Sequence, residues 1–127
     1  MQDLEKLIRK LMPQVPVLQL ASSVDGQPWV CNLHFYSDDE LNLYWLSKDT
    51  TRHSQEIAGN PKAAAAIMVH VNTPAENYII GMSVAGMAEC LGKDAGENVS
   101  KGYQAKHQTS DKFLSEVASG ANPHKWY

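Results

Sequence analysis

Between Ser47 and His53 the chain gathers three hydroxyl side chains, Ser47, Thr50 and Thr51, around the basic groups of Lys48, Arg52 and His53. The pattern before this stretch is strand-like and the pattern after it is helical, so it joins a strand end to a helix start. Free backbone N–H groups and the positive end of the helix dipole favour a bound phosphate at such a junction. Arg52 adds a planar fork that matches phosphate oxygens. A capped helix carrying a solvated basic turn explains the same residues, because Thr50 or Thr51 serves as an N-cap with or without a ligand.

Other chemistry is less well supported. Cys31 and His34 could be paired as nucleophile and base, but three residues apart on a strand their side chains leave from opposite faces. Cys31 reads as a small core residue in line with Trp29, Leu33 and Phe35. His34, His53, His70, His107 and His124 contain no pair at helical metal-ligand spacing and stand beside no cysteine pair, so no metal site is expected. There is no Gly-rich dinucleotide fingerprint after a strand and no GxSxG elbow. Trp29, Tyr36, Tyr44, Trp45, Tyr78 and Tyr103 form a substantial set of rings, most of them expected in the core and a minority available to flank a planar ligand. No side chain stands out as a catalytic acid, base or nucleophile.

The elements that would position the junction follow from periodicity. Leu4, Leu7, Ile8 and Leu11 lie at helical spacing, and Pro13 and Pro16 end that helix. Val17 to Ser23 reads as a strand, Asp25-Gly26 as a tight hairpin turn, and Pro28 to Tyr36 as the returning strand. Along it Trp29, Cys31, Leu33 and Phe35 share one face, and Val30, Asn32, His34 and Tyr36 share the other. Leu41 to Ser47 is apolar on both faces and predicts a strand covered on both sides. A short helix ends near Ala58 at Gly59-Asn60-Pro61. The alanine run from Ala63 alone argues helix, but Pro61 before it and Ile67, Val69 and Val71 at its end favour a strand to Val71. A loop over Asn72 to Asn77 leads into a strand from Tyr78 to about Leu91, where Gly81 and Gly86 suggest bulges or bends. Two helical pieces carry Val99 with Tyr103, and Phe113 with Leu114 and Val117. Asn122 to Tyr127 opens a further strand.

The length of 127 residues favours one domain over 1–127, with no linker or repeat to divide it. A formal net charge of -3 without a dominant basic run argues against a nucleic-acid partner. Cys31 and Cys90 form no CxxC, which fits a reducing cytoplasm. Charged residues within Met1 to Met12 leave no signal-peptide core, and nothing approaches the roughly 20 apolar residues that span a bilayer. Element order and pattern predict an α+β, mainly β domain built on a small antiparallel barrel with flanking short helices.

The stretches Leu18-Gln19-Leu20-Ala21-Ser22-Ser23, Asp25-Gly26-Gln27-Pro28-Trp29-Val30, Leu43-Tyr44-Trp45-Leu46-Ser47, Thr51-Arg52-His53 and Asn60-Pro61, in that order, resemble the pyridoxamine 5'-phosphate oxidase-like FMN-binding split barrels, including general stress protein-like members. The similarity covers about Val17 to Leu91. It implies a six-stranded antiparallel split β-barrel, usually a homodimer, with FMN in a groove between subunits. It further implies that Ser47, Lys48, Thr51, Arg52 and His53 meet the phosphate and ribityl chain, and that Val30, Cys31 and Asn32 border the flavin ring. An oxidoreductase acting on a small-molecule substrate, with an electron donor such as NAD(P)H, is the implied activity. A noncatalytic flavin- or haem-binding, stress-associated protein is the alternative, and a deazaflavin is a further cofactor the fold accepts. Two departures stand out: His53 replaces the lysine of many relatives, and Tyr127 falls about where relatives run a closing strand. The barrel is therefore expected either to be cut short there or to close differently.

Overall fold

The computed structural model describes residues 3–127; Met1, where the charged N-terminal stretch begins, lies outside the described residues. Helix α1 (Leu4–Leu11) starts at Asp3, whose carboxylate accepts the Lys6 N–H, and a 3-10 turn at Met12–Gln14 ends it at the expected prolines. The hairpin of β1 (Val17–Val24) and β2 (Gln27–His34) is in full antiparallel register. Its turn places Asp25 and Gly26 at φ 52° and 77°, the left-handed conformations that this residue pair tolerates best.

Two long strands, β6 (Lys62–Asn72) and β7 (Asn77–Met87), complete a four-stranded sheet in the order β2-β1-β6-β7. Their register runs unbroken past both internal glycines, with Gly81 opposite Met68 and Gly86 opposite Ala63. The expected bulges are therefore absent from this ladder, and the strand ends at Met87 rather than Leu91. The alanine run is a strand, because its alternate residues Ala65 and Ile67 bury themselves against the core while Ala64 and Ala66 face outward.

Short strands supply the rest of the wall: β3 (Tyr36–Ser37) pairs with β4 (Leu43–Tyr44), and β5 (Leu46–Lys48) pairs with β8 (His124–Trp126). The two continuous strands expected over 28–36 and 41–47 are interrupted at Phe35 and Trp45, both buried. Phe35 N–H donates to Pro16, while Trp45 and Tyr127 exchange two backbone hydrogen bonds, so neither residue leaves its amide unpaired. The C-terminal residues do form a strand: β8 lies between β5 and the Leu91-Gly92 segment, which bonds Trp126 on its other side. Ladder pairing thus falls into three groups, and no closed sheet forms among the described residues.

The main core lies on the inner face of the four-stranded sheet, where Met12, Leu18, Leu20, Phe35, Trp45, Ile57, Ile67 and Tyr127 pack together. A second core forms under α3 (Glu97–His107) and α4 (Asp111–Ser119), from Val99, Tyr103, Val117 and Trp126 with Tyr36, Tyr44 and Leu46 against them. Residues 41–47 are covered on both sides, as their pattern predicts. The cover is internal, since Leu41, Leu43 and Trp45 meet the first core while Tyr44 and Leu46 meet the second. No helix among the described residues is long and apolar enough to cross a membrane.

Candidate anion-binding site

The junction forms as the residue types suggest. β5 delivers Ser47, buried and paired with Lys125 of β8, and α2 (Arg52–Gly59) begins four residues beyond β5's Lys48. Thr51 is its N-cap: its hydroxyl accepts the Ser54 N–H and donates to the Lys48 carbonyl, 3.0 Å away. At the other end Asn60 fastens α2 to the sheet, its side chain donating to the Ser23 carbonyl and accepting from the Lys62 N–H. Those two hydrogen bonds give Asn60 its structural role at the end of α2.

Three of the sequence-predicted residues meet directly. Ser47 Oγ is 2.7 Å from His53 Nε2, and Thr51 Oγ1 is 3.3 Å from the same nitrogen. Burial pushes the His53 imidazole below its ordinary pKa, so it is neutral at neutral pH. Arg52 lies beside them but is already engaged. Its guanidinium carbon sits 3.7 Å from the centroid of the Trp29 ring, and its Nε donates to Glu56 Oε2 at 2.7 Å. The other Glu56 oxygen accepts from Ser22 Oγ, and hydrogen bonds from Arg52 and Ser22 hold the Glu56 carboxyl below its usual range. The terminal guanidinium nitrogens remain for an anion, and the Arg52 side chain is half exposed. Lys48 is exposed at the same corner.

The β2 residues divide between two surfaces. Cys31 faces inward near Glu56, its thiol pushed up by burial and by that carboxylate. Val30 and Asn32 face outward, where Asn32 accepts a hydrogen bond from Gln19. His34 is also outward and stacks on His107, so Cys31 and His34 lie on opposite faces. β2 is an edge strand, leaving one side of its backbone free of ladder bonds. Sequence reasoning missed Trp29, Ser22 and Glu56. Trp29 reads as a core ring but is 40% exposed and carries Arg52. Only the Arg52-to-Glu56 spacing of four could have revealed the ion pair.

Two hydroxyls, an imidazole, a guanidinium and a helix N-terminus make a donor set suited to a phosphate. No cluster of three or more His, Cys, Asp or Glu suited to a metal occurs among the described residues. Because burial lowers the pKa of unliganded His53 and a phosphate favours the charged imidazole, the affinity for a phosphate ligand should rise as the medium is acidified toward the free imidazole's depressed pKa. The phosphate itself takes a proton near pH 6, which masks the trend. Titrating the His53→Lys variant in parallel isolates it: the variant should bind about fivefold more tightly at pH 8, with the gap closing on acidification. A constant gap between pH 8 and 6 would remove His53 from the site.

Comparison with known proteins agrees with this architecture. HutZ, the haem storage protein from Vibrio cholerae, superposes with a TM-score of 0.71 at 15% identity, over 98% of this chain and 87% of that one. A haem-binding protein from Mycobacterium smegmatis gives 0.71 at 16% identity over 99% of this chain, which spans 50% of that protein. An FAD-binding protein from Mesorhizobium loti gives 0.64 at 23% identity, over 95% and 82% of the two chains. These likenesses establish the fold. No functionally curated protein matches the sequence significantly. The family profile described as pyridoxamine 5'-phosphate oxidase matches residues 4–127. Spanning the hairpin, the junction at α2 and β8 alike, that match makes the chain a member of the pyridoxamine 5'-phosphate oxidase family.

Proposed function

We propose that residues 1–127 form one FMN-binding split-barrel domain that acts as an oxidoreductase, with the flavin held at a homodimer interface. The observation that carries this reading is the Ser47–His53–Thr51 cluster at the N-terminus of α2, with Arg52 and Lys48 alongside. In this reading the phosphate sits at that cluster, and the ring runs along the free edge of β2 past Cys31 to Val30 and Asn32. The flavin supplies the electron transfer, while the protein binds and orients it. Electrons come from a donor such as NAD(P)H and pass to a small-molecule acceptor.

The dimer rests on the outer face of the sheet. Val30, Met68 and Ile79 project from it with 59%, 50% and 60% exposure, among the small residues Ala21, Ala64, Ala66 and Gly81. This exposed face, on which the Gln19–Asn32 hydrogen bond lies between the apolar rows, fits a second copy of itself, which also brings Val30 and Asn32 to the interface where the ring lies. Met68→Glu should therefore convert a dimer into a monomer in light scattering and weaken FMN binding. A variant that stays dimeric would place the interface elsewhere.

The deciding experiment is the visible spectrum of the purified protein, before and after incubation with excess FMN and gel filtration. Retained oxidised-flavin bands that bleach with NADH or NADPH and return with an acceptor support the oxidoreductase. A flavin that binds without cycling favours a noncatalytic carrier. The haem-binding names of two neighbours motivate a parallel titration with haem, in which a retained Soret band without flavin bands would make haem the ligand.

A further inference from the structure

The alanine run of β6 takes no part in the anion site, yet it shapes a cavity of its own. This cavity has a volume of about 640 Å³ and lies between β6, β7 and the Leu41-to-Trp45 stretch. Its wall includes Leu20, Leu43, Trp45, Ala65, Val84 and Tyr127. Ala63 and Ala65 occupy inward strand positions where a larger side chain would fill the space, and each contributes only a methyl group.

Two further observations point to an occupant. Trp45 is 5% exposed, and its indole Nε1 is buried with no hydrogen-bond partner, the sole side-chain nitrogen or oxygen in that condition among the described residues. A buried N–H without an acceptor is unfavourable, so a ligand carrying an acceptor would be stabilised beside it. The Trp45 ring is also stacked parallel to that of Tyr127, 3° apart in plane with centroids 5.9 Å apart, and both residues border the cavity. At the exposed margin stand Asn42, Glu89 and Asp94, and none of the lining residues is basic.

We propose that this cavity is a second small-molecule site, separate from the anion site, which takes a planar heteroaromatic cation. The ring enters against Trp45 and Tyr127, its acceptor atom satisfies the indole N–H, and its positive charge stays at the margin with Glu89 and Asp94. The cavity has the opposite preference from the junction at α2, where the donors select a negative charge.

The probe is thionine, a planar cation whose bridging ring nitrogen keeps a free acceptor lone pair, followed by its fluorescence, with resorufin as the anionic counterpart of similar shape and the same acceptor nitrogen. The cation should bind saturably with one site per chain, and the anion at least about tenfold more weakly. Ala65→Leu should fill the cavity and abolish binding while preserving the near-ultraviolet circular dichroism and the thermal midpoint. The exposed pair Glu89→Gln with Asp94→Asn does not disturb the core and should weaken the cation by about tenfold. Arg52→Ala should leave it unchanged, and FMN should not displace it. Non-saturable binding, equal affinity for the two probes, full binding by folded Ala65→Leu or displacement by FMN would each overturn the proposal. If Ala65→Leu does not fold, undiminished binding in the margin variant does the same.

Discussion

Replacing Arg52 with alanine is expected to weaken FMN binding by about fiftyfold, since a charge-assisted contact to phosphate contributes about 2 kcal/mol and more where the guanidinium binds two oxygens. The geometry around Arg52 adds to the loss. Its Nε neutralises one oxygen of Glu56 at 2.7 Å, so the alanine variant leaves an unmatched carboxylate next to the incoming phosphate. Adding Glu56→Gln to Arg52→Ala should therefore recover part of the affinity, although the double variant still lacks the phosphate contact. Arg52→Lys should lie between wild type and alanine, keeping the charge but losing the planar fork that rests on Trp29. His34→Ala is the control, expected to stay within about twofold because His34 stacks on His107 at the other end of β2 from Trp29, which carries Arg52. Quenching of flavin fluorescence measures all five proteins. Equal losses for Arg52→Ala and His34→Ala would dissolve the assignment of Arg52 to the phosphate.

What could be read in advance was whatever local chemistry determines. Asp25-Gly26 specifies a turn through backbone angles that few other pairs adopt, and the whole β1-β2 register follows from it. Thr51 caps α2 through a hydrogen bond to a residue three positions away, so the junction was visible in seven consecutive residues. Long-range pairing was less legible. Residues 122–127 read as a strand opening, but the sequence pattern contains nothing to show that β8 would bind β5 on one side and Leu91-Gly92 on the other. The two-faced apolar pattern of 41–47 correctly announced cover on both sides without saying what covers it. A second subunit and the packing of α3 and α4 leave the same trace in a single strand. Trp29 misled for a related reason. An aromatic ring in phase with core residues ordinarily packs inward, and only the position of α2 shows that its partner is Arg52.

The support for Ser47 reaches further than its own strand, and Gly102 is where that support can be broken. A side chain at Gly102 of α3 would collide with the Tyr36 ring, at its Cζ, Cε2 and hydroxyl. In an exposed helix, alanine in place of glycine stabilises by up to about 1 kcal/mol. Here Gly102→Val should instead destabilise by about 2 to 3 kcal/mol, lowering the thermal midpoint by about 10 °C, because either the ring or the helix must move. Displacing α3 disturbs Tyr103, whose ring meets Trp126 edge-on at 5.3 Å. Trp126 belongs to β8, and β8 pairs through Lys125 with Ser47, the hydroxyl that sits 2.7 Å from His53. The same variant should therefore weaken FMN binding severalfold from a position that touches no ligand. Truncating the ring in a Gly102→Val, Tyr36→Ala double variant separates the collision from any other effect. If the close packing is the cause, the double variant is more stable than the two single losses added together, by about 1 kcal/mol or more. Strict additivity would mean that α3 accommodates the new side chain without pressing on Tyr36, and that β5 and β8 hold Ser47 in place without it.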